Sequence, residues 1–121
     1  MSRRICIIDD DPICVFTTKI IIEASNQFDE ILIYSSGIDA FEALSKIQER
    51  DLFPEIIILD INMPIWDGWD FLNESISHPF VSNARIFVVS SSNDPEDIMK
   101  AKSYSIVEDF ILKPVDISRF L

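Results

Sequence analysis

The stretch Glu55-Ile56-Ile57-Ile58-Leu59-Asp60 decides the fold. Its β-branched and leucine side chains follow one another without polar alternation, which is typical of a strand that is buried on both faces of a sheet. Aspartate is disfavoured inside strands, so Asp60 is more naturally placed where the strand ends. The stretch therefore predicts a central strand of a parallel sheet that presents a carboxylate at its carboxyl end.

Short apolar runs and helical segments alternate on both sides of this strand. The predicted strands are residues 4–8, 31–34, 55–60, 85–90 and 110–112, and a helical segment follows each of the first four. Proline and glycine in the connecting segments mark boundaries, as at Pro54, Gly68 and Pro79. Residues 116–121 begin a further helix, which we expect to be short.

Aspartate, which caps helix N-termini, marks three predicted helix starts: Asp11 before Pro12, Asp67 before Gly68 and Asp94 before Pro95. Proline suits the first helical position.

The first of these helices begins at Pro12. Ile13, Phe16 and Ile20 follow at spacings of three and four residues. Ile21 and Ile22 widen this apolar stripe, and the pattern predicts a helix from Pro12 to about Ser25.

Five strands that alternate with helices predict a doubly wound, mostly parallel sheet, because right-handed crossovers return each helix to the sheet. The length of 121 residues and the hydrophobic content of 48% fit a single α/β domain over residues 1–121. In open sheets of this kind, ligands bind beyond the carboxyl ends of the strands. The fold prediction therefore points to the residues that follow each strand.

The charge of the chain limits its partners. A net charge of −11 argues against direct binding of nucleic acid, whose phosphates are held by clustered Lys and Arg. No apolar run approaches the length of a membrane-spanning helix, and the N-terminus lacks the features of a secretion signal. Cys6 and Cys14 are expected to be small buried side chains. We therefore expect a cytoplasmic domain that contacts neither nucleic acid nor membrane.

Polar residues lie at the carboxyl ends of four of the predicted strands. Asp9 and Asp10 end the first strand, Asp60 the third, Ser90 the fourth and Lys113 the fifth. Carboxylates that converge in a partly buried place repel one another, so a cation is needed there. Ligands that are all oxygen atoms favour a hard ion such as Mg²⁺.

This set of residues favours phosphoryl transfer. A cation held by Asp10 and Asp60 would leave coordination positions for water and for a phosphoryl oxygen. Lys113 and the Ser90 hydroxyl could bind the other phosphoryl oxygens, which supplies the charge neutralisation that phosphoryl transfer requires. Asp60 would then be the nucleophile and form an acyl phosphate.

The chain resembles the receiver domain of two-component response regulators. The motifs that carry the resemblance are Asp9-Asp10, Leu59-Asp60-Ile61-Asn62-Met63-Pro64 with Asp67-Gly68, the hydroxyl of Ser90, and Lys113-Pro114. The resemblance spans residues 5–114 and rests on the combination of motifs, since an isolated Asp-Asp or Lys-Pro pair occurs by chance. It implies a flavodoxin-like (CheY-like) fold with a five-stranded parallel sheet.

The resemblance also implies a role for each residue of the site. Asp60 is expected to be the phosphoacceptor, and Lys113 is expected to bind a phosphoryl oxygen. For Mg²⁺, the family implies that Asp10 is a direct ligand, Asp9 an acidic partner that acts through water, and Asn62 a ligand through its backbone carbonyl.

Two further residues match positions that change conformation in this family. Ser90 corresponds to the hydroxyl that moves to bond the phosphoryl group, and Phe110 to the aromatic side chain that then rotates inward. The resemblance implies a phosphohistidine donor, on a sensor kinase or a histidine phosphotransfer protein, and a downstream protein or output domain. A phosphorylation-dependent homodimer is a further expectation. We expect a signalling domain and not an enzyme.

Three alternatives remain open from the sequence. An aspartate-nucleophile phosphohydrolase also uses carboxylates and Mg²⁺, but such enzymes typically carry Asp-x-Asp on the first strand, whereas position 62 here is Asn and the strand is the third. A flavin carrier is disfavoured because the acids at positions 9–11 would repel a flavin phosphate. A receiver-like binding module that is never phosphorylated is disfavoured because every phosphorylation residue is present.

Overall fold

The structure, a computed structural model, describes residues 3–119. The five strands are β1 (Arg4–Ile8), β2 (Glu30–Tyr34), β3 (Ile56–Asp60), β4 (Arg85–Ser90) and β5 (Val107–Leu112). The four α-helices in this range are α1 (Pro12–Ser25), α2 (Gly37–Ser45), α3 (Gly68–Ser75) and α4 (Pro95–Lys102). Every predicted strand is present, and β5 begins three residues earlier than predicted.

The strands form one parallel sheet in the order β2-β1-β3-β4-β5. The order reverses beside β1, because the chain moves outward to β2 and then returns to place β3 on the other side of β1. Such a reversal opens a crevice at the carboxyl ends of the two central strands. The doubly wound α/β fold is therefore confirmed, and β1 and β3 border its crevice.

Alternate residues of each strand supply the two hydrophobic clusters on the two faces of the sheet. On one face Ile57 and Leu59 of β3 pack in the cluster that includes buried residues of α2, α3 and α4. On the other face Ile56 and Ile58 of β3 pack in the cluster that includes Ile22 of α1. Burial on both faces explains why β3 needs apolar side chains at four consecutive positions.

The predicted helix from Pro12 to about Ser25 is confirmed as α1, but only part of its apolar stripe contacts the core. Thr18 and Ile22 are buried, whereas Ile13, Phe16 and Ile20 are 76%, 65% and 50% exposed. Apolar residues lie on several sides of α1, so helical spacing fits more than one face. Packing of α1 against the sheet selects the face with Thr18 and Ile22 and leaves Ile13, Phe16 and Ile20 exposed.

Side-chain caps define where the helices begin. Asp11 accepts a hydrogen bond from the backbone N–H of Ile13, and Asp94 accepts one from that of Glu96. Asp67 and Asp70 form a reciprocal capping box at the start of α3. The sequence prediction of caps at Asp11, Asp67 and Asp94 is confirmed.

The last part of the described chain holds a single 3-10 turn, Ile117–Arg119, where the sequence predicts the beginning of a helix. Residues 120–121 lie outside the described range, so the predicted short last helix is compared only as far as Arg119. Over residues 3–119, none of the helices has the length and apolar character required to cross a membrane.

Gly68 allows the segment after β3 to pack closely against the strand end. A Cβ atom at this position would lie 2.7 Å from Ile61 Cα and 2.8 Å from the carbonyl oxygen of Asp60. Both neighbours are backbone atoms, which cannot rotate away. The absence of a side chain at position 68 therefore allows the carboxyl end of β3 and the start of α3 to lie in contact.

We predict that Gly68→Ala lowers the free energy of unfolding by about 2–3 kcal/mol, because the overlap must move backbone. The matched control is Gly37→Ala, also at the start of a helix, where a Cβ atom would meet Trp66 at 3.3 Å. There the better helix propensity of alanine offsets the tight contact, so we expect a change below about 1 kcal/mol. Urea denaturation measures both; equal losses would contradict the prediction.

Candidate functional site

Asp60 lies at the carboxyl end of β3 and is only 3% exposed. Its Oδ1 atom accepts a hydrogen bond from the backbone N–H of Asn62 at 3.2 Å. The neighbouring strands β1 and β4 pair with β3 on its two sides, so their ends flank this carboxylate. The structure thus places Asp60 at the floor of the crevice.

Asp9 and Asp10 follow β1 and lie beside Asp60. Asp9 is buried, and its Oδ1 atom accepts a hydrogen bond from the backbone N–H of Asp11 at 2.9 Å. Asp10 is exposed. One carboxylate oxygen from each of Asp9, Asp10 and Asp60 lies within 4.8 Å of the others. Three oxygen ligands at this spacing, without sulfur or imidazole, fit a hard divalent cation such as Mg²⁺.

Lys113, just beyond β5, contributes a positive charge to the same place. Its Nζ atom lies 2.9 Å from Asp9 Oδ2 and 3.5 Å from Asp60 Oδ1. Its backbone N–H donates to the carbonyl oxygen of Ser90 at 2.8 Å, which ties the end of β5 to the end of β4. The ammonium group therefore lies between two buried carboxylates.

Burial and neighbouring charge change the ionisation of this cluster. Burial, and then the charge of Asp9, raise the pKa of Asp60 from its ordinary value of 3.8 to about 6, against the opposing effects of the Asn62 N–H and Lys113. Burial alone would lower the pKa of Lys113, but its hydrogen bond to Asp9 and the charges of Asp60 and Asp9 raise it above its ordinary value. Lys113 therefore stays charged and partly compensates for the acids.

Ser90 ends β4 and is 0% exposed. Its Oγ atom accepts two hydrogen bonds, one from the backbone N–H of Ser92 at 3.1 Å and one from the side-chain amide of Asn62 at 3.3 Å. The contact with Asn62 joins the end of β4 to the loop after β3. The hydroxyl thus contacts the loop that follows Asp60.

Phe110 occupies β5 opposite Val88 of β4. Its side chain is partly buried and packs against the cluster on the α2, α3 and α4 face of the sheet. It is therefore part of the core's edge and not of the acidic pocket itself.

Two features of the site were not predicted. The sequence interpretation gave Asn62 a role only through its backbone carbonyl, whereas its side chain also bonds Ser90. Cys14 was expected to be buried, but it is partly exposed and lies close enough to Asp9 that burial and this acid together raise the pKa of its thiol. The only sequence signal for the Asn62 contact is that Asn62 lies two residues after Asp60. The sequence gives no signal for the partial exposure of Cys14.

We predict that Asp60→Asn increases stability in the presence of EDTA at pH 8. The pKa of Asp60 is higher in the folded chain than in the unfolded chain, so ionisation costs stability as the pH rises from about 4 to above 6. Removing the charge should raise the free energy of unfolding by on the order of 2 kcal/mol at pH 8 and by less at pH 5. Urea denaturation at both values tests this, and a gain independent of pH would contradict it.

Comparison with known proteins agrees with this geometry. Residues 5–121 match the family model of the response regulator receiver domain. The protein-glutamate methylesterase/protein-glutamine glutaminase 1 of Syntrophomonas wolfei is 34% identical over 115 residues, 93% of this chain and 30% of that protein. The probable C4-dicarboxylate response regulator DctR of Halalkalibacterium halodurans is 27% identical over 116 residues, 96% of this chain and 47% of that protein. The chain thus spans less than half the length of these curated relatives.

The fold is shared with solved receiver structures. A two component response regulator from Cytophaga hutchinsonii superposes with a TM-score of 0.89 at 31% sequence identity, covering 97% of this chain and 90% of that chain. The residues matched by the family model, 5–121, include Asp9, Asp10 and Asp60. The chain therefore belongs to the response regulator receiver domain family, and it is a receiver domain of two-component response regulators.

Proposed function

We propose that Asp60 is the phosphoacceptor of this receiver domain. The observation that carries the proposal is its position: a carboxylate that is 3% exposed, at the floor of the crevice, with Lys113 Nζ at 3.5 Å and two further acids beside it. Burial limits the hydration of the nucleophile, while the N–H of Asn62 and the charge of Lys113 fix its orientation.

The transfer conserves atoms and electrons as follows. An oxygen of the Asp60 carboxylate forms a bond to phosphorus as the bond between phosphorus and the donor imidazole nitrogen breaks. The imidazole leaves with that electron pair and takes up a proton. The product is an acyl phosphate on Asp60, and Lys113 binds a phosphoryl oxygen.

Mg²⁺ is proposed as the cofactor. Asp10 and Asp60 would hold it through carboxylate oxygens, Asn62 through its backbone carbonyl, and Asp9 through water. When bound, the ion supplies positive charge that neutralises the phosphoryl oxygens. Lys113 already occupies part of the acidic cluster, so it must share Asp9 and Asp60 with the ion.

Ser90 and Phe110 are proposed to transmit phosphorylation to the surface. Ser90 donates a hydrogen bond to the phosphoryl group, and Phe110, which is partly buried at the edge of the core, rotates further inward. The proposed target is a downstream protein or an output domain, and a phosphorylation-dependent homodimer is a further outcome of the same change. We propose a cytoplasmic signalling domain that comprises residues 1–121 and is not itself an enzyme.

A protein donor must deliver its phosphohistidine over the rim of the crevice, because Asp60 is buried. α1 forms part of that rim with an apolar surface. Phe16 and Ile33 line a cavity of about 390 Å³ that also reaches Asp9 and Asp10. On the other side of α1, a second cavity of about 310 Å³ reaches Lys113.

Ile13 lines the cavity that reaches Lys113, Phe16 lines the cavity that reaches Asp9 and Asp10, and both side chains are exposed. Exposed apolar side chains beside a reactive group are typical of an interaction site. We propose that this surface of α1 binds the protein that donates the phosphoryl group.

We predict that acetyl phosphate labels the wild-type chain with one phosphoryl group only when Mg²⁺ is supplied, and that Asp60→Asn abolishes the label. The matched control is Asp11→Asn, which replaces a neighbouring acid but keeps a residue that caps α1 well. This control should be labelled like the wild type. Intact-mass measurement distinguishes the chains, and equal labelling of Asp60→Asn would refute Asp60 as the phosphoacceptor.

We predict that Phe16→Ser slows phosphoryl transfer roughly tenfold, because the aromatic contact with the donor protein is lost. The donor in this test is a histidine phosphotransfer protein that phosphorylates the wild-type chain. Labelling by acetyl phosphate, which needs no protein surface, should keep its rate. Ile76→Ser, which removes a half-exposed side chain at the end of α3, is the control and should transfer normally. If both rates fall together in Phe16→Ser, α1 supports the fold and not donor binding.

A further inference from the structure

The hydroxyl of Ser90 is buried and makes its hydrogen bonds with two donors. A hydroxyl oxygen can accept two hydrogen bonds and donate one. Both acceptor positions of Ser90 Oγ are filled, by the backbone N–H of Ser92 at 3.1 Å and by the side-chain amide of Asn62 at 3.3 Å. Its own proton is the only bonding capacity that remains.

The two donors also set the direction of that proton. The bonds around a hydroxyl oxygen are roughly tetrahedral, and three directions are taken by Ser90 Cβ and the two donors. The proton must occupy the fourth direction. Among the hydrogen bonds of residues 3–119, Ser90 Oγ accepts from Ser92 and Asn62 and donates none.

Asn62 is the member of this arrangement that links Ser90 to Asp60. Its backbone N–H donates to Asp60 Oδ1 at 3.2 Å, while its side-chain amide donates to Ser90 Oγ. The Ser92 bond is local to the turn after β4, since donor and acceptor are two residues apart. The Asn62 bond spans 28 residues and depends on the tertiary structure.

We propose that the Asn62 side chain is a positioning residue that makes the Ser90 hydroxyl a dedicated hydrogen-bond donor to the phosphoryl group. A phosphoryl group offers only acceptor oxygens, so it matches the single capacity that Ser90 retains. Without the amide, one lone pair of Ser90 is released and the hydroxyl can rotate. The inference rests on the proposed function, because it requires phosphorylation at Asp60.

The test is a double-mutant cycle between Asn62→Leu and Ser90→Ala, with beryllofluoride as the phosphoryl mimic in saturating Mg²⁺. Leucine keeps the approximate volume of asparagine and removes the amide donor. Apparent beryllofluoride affinity is measured by titration of backbone amide NMR signals. We expect Asn62→Leu to weaken binding about three- to tenfold, as for the loss of one hydrogen bond, and to change it less than twofold in the Ser90→Ala background.

The outcomes separate this inference from the proposed function. Tighter binding of beryllofluoride by Asn62→Leu would mean that the Asn62 amide holds the Ser90 hydroxyl back. An unchanged affinity would mean that the amide does not position the hydroxyl. Either result overturns this inference and leaves the proposed function untouched. An equal loss in the Ser90→Ala background would show that Asn62 does not act through Ser90. If beryllofluoride fails to bind even the wild-type chain with Mg²⁺, the phosphoacceptor proposal falls too. The thermal unfolding midpoint of each variant without ligand verifies that it is folded.

Discussion

The ion contacts of Lys113 with Asp9 and Asp60 are the interactions on which the rest of the site depends. Two buried carboxylates repel each other and each loses hydration, and this is why the pKa of Asp60 is raised to about 6. The ammonium group, at 2.9 and 3.5 Å, compensates for part of that repulsion. In the proposed function, the remaining negative charge attracts a divalent ion and, through it, a phosphoryl group.

The sheet brings these charges together through its topology. Asp9, Asp60 and Lys113 are far apart in the chain, but each follows a parallel strand, and parallel strands place their carboxyl ends at the same edge. Close packing at Gly68 and the backbone bond from Lys113 to Ser90 keep those ends in register with one another. The stability of the hydrophobic clusters on both faces therefore supports the unfavourable arrangement of the acids.

Apolar side chains on α1 show a second compromise. Burial of Phe16 in the core would stabilise the domain, yet it is largely exposed beside the acidic pocket. Phe110 lies between a buried and an exposed position, because its side chain packs at the edge of the core without being enclosed by it. A side chain proposed to contact a partner, such as Phe16, or to rotate, such as Phe110, cannot also contribute fully to the stability of the fold.

The sequence alone determined the five strands, the caps at Asp11, Asp67 and Asp94, and the acidic, hydroxyl and ammonium side chains at the strand ends. These features are local, because strand burial, capping and strand ends follow from neighbouring residues. Tertiary structure decided which face of α1 meets the sheet, where β5 begins, and that the Asn62 amide bonds Ser90. Apolar residues lie on several sides of α1 and fit helical spacing equally well, so only packing against the sheet selects the buried face. A contact between residues 28 positions apart leaves no periodic pattern in the sequence, so only the folded structure reveals it.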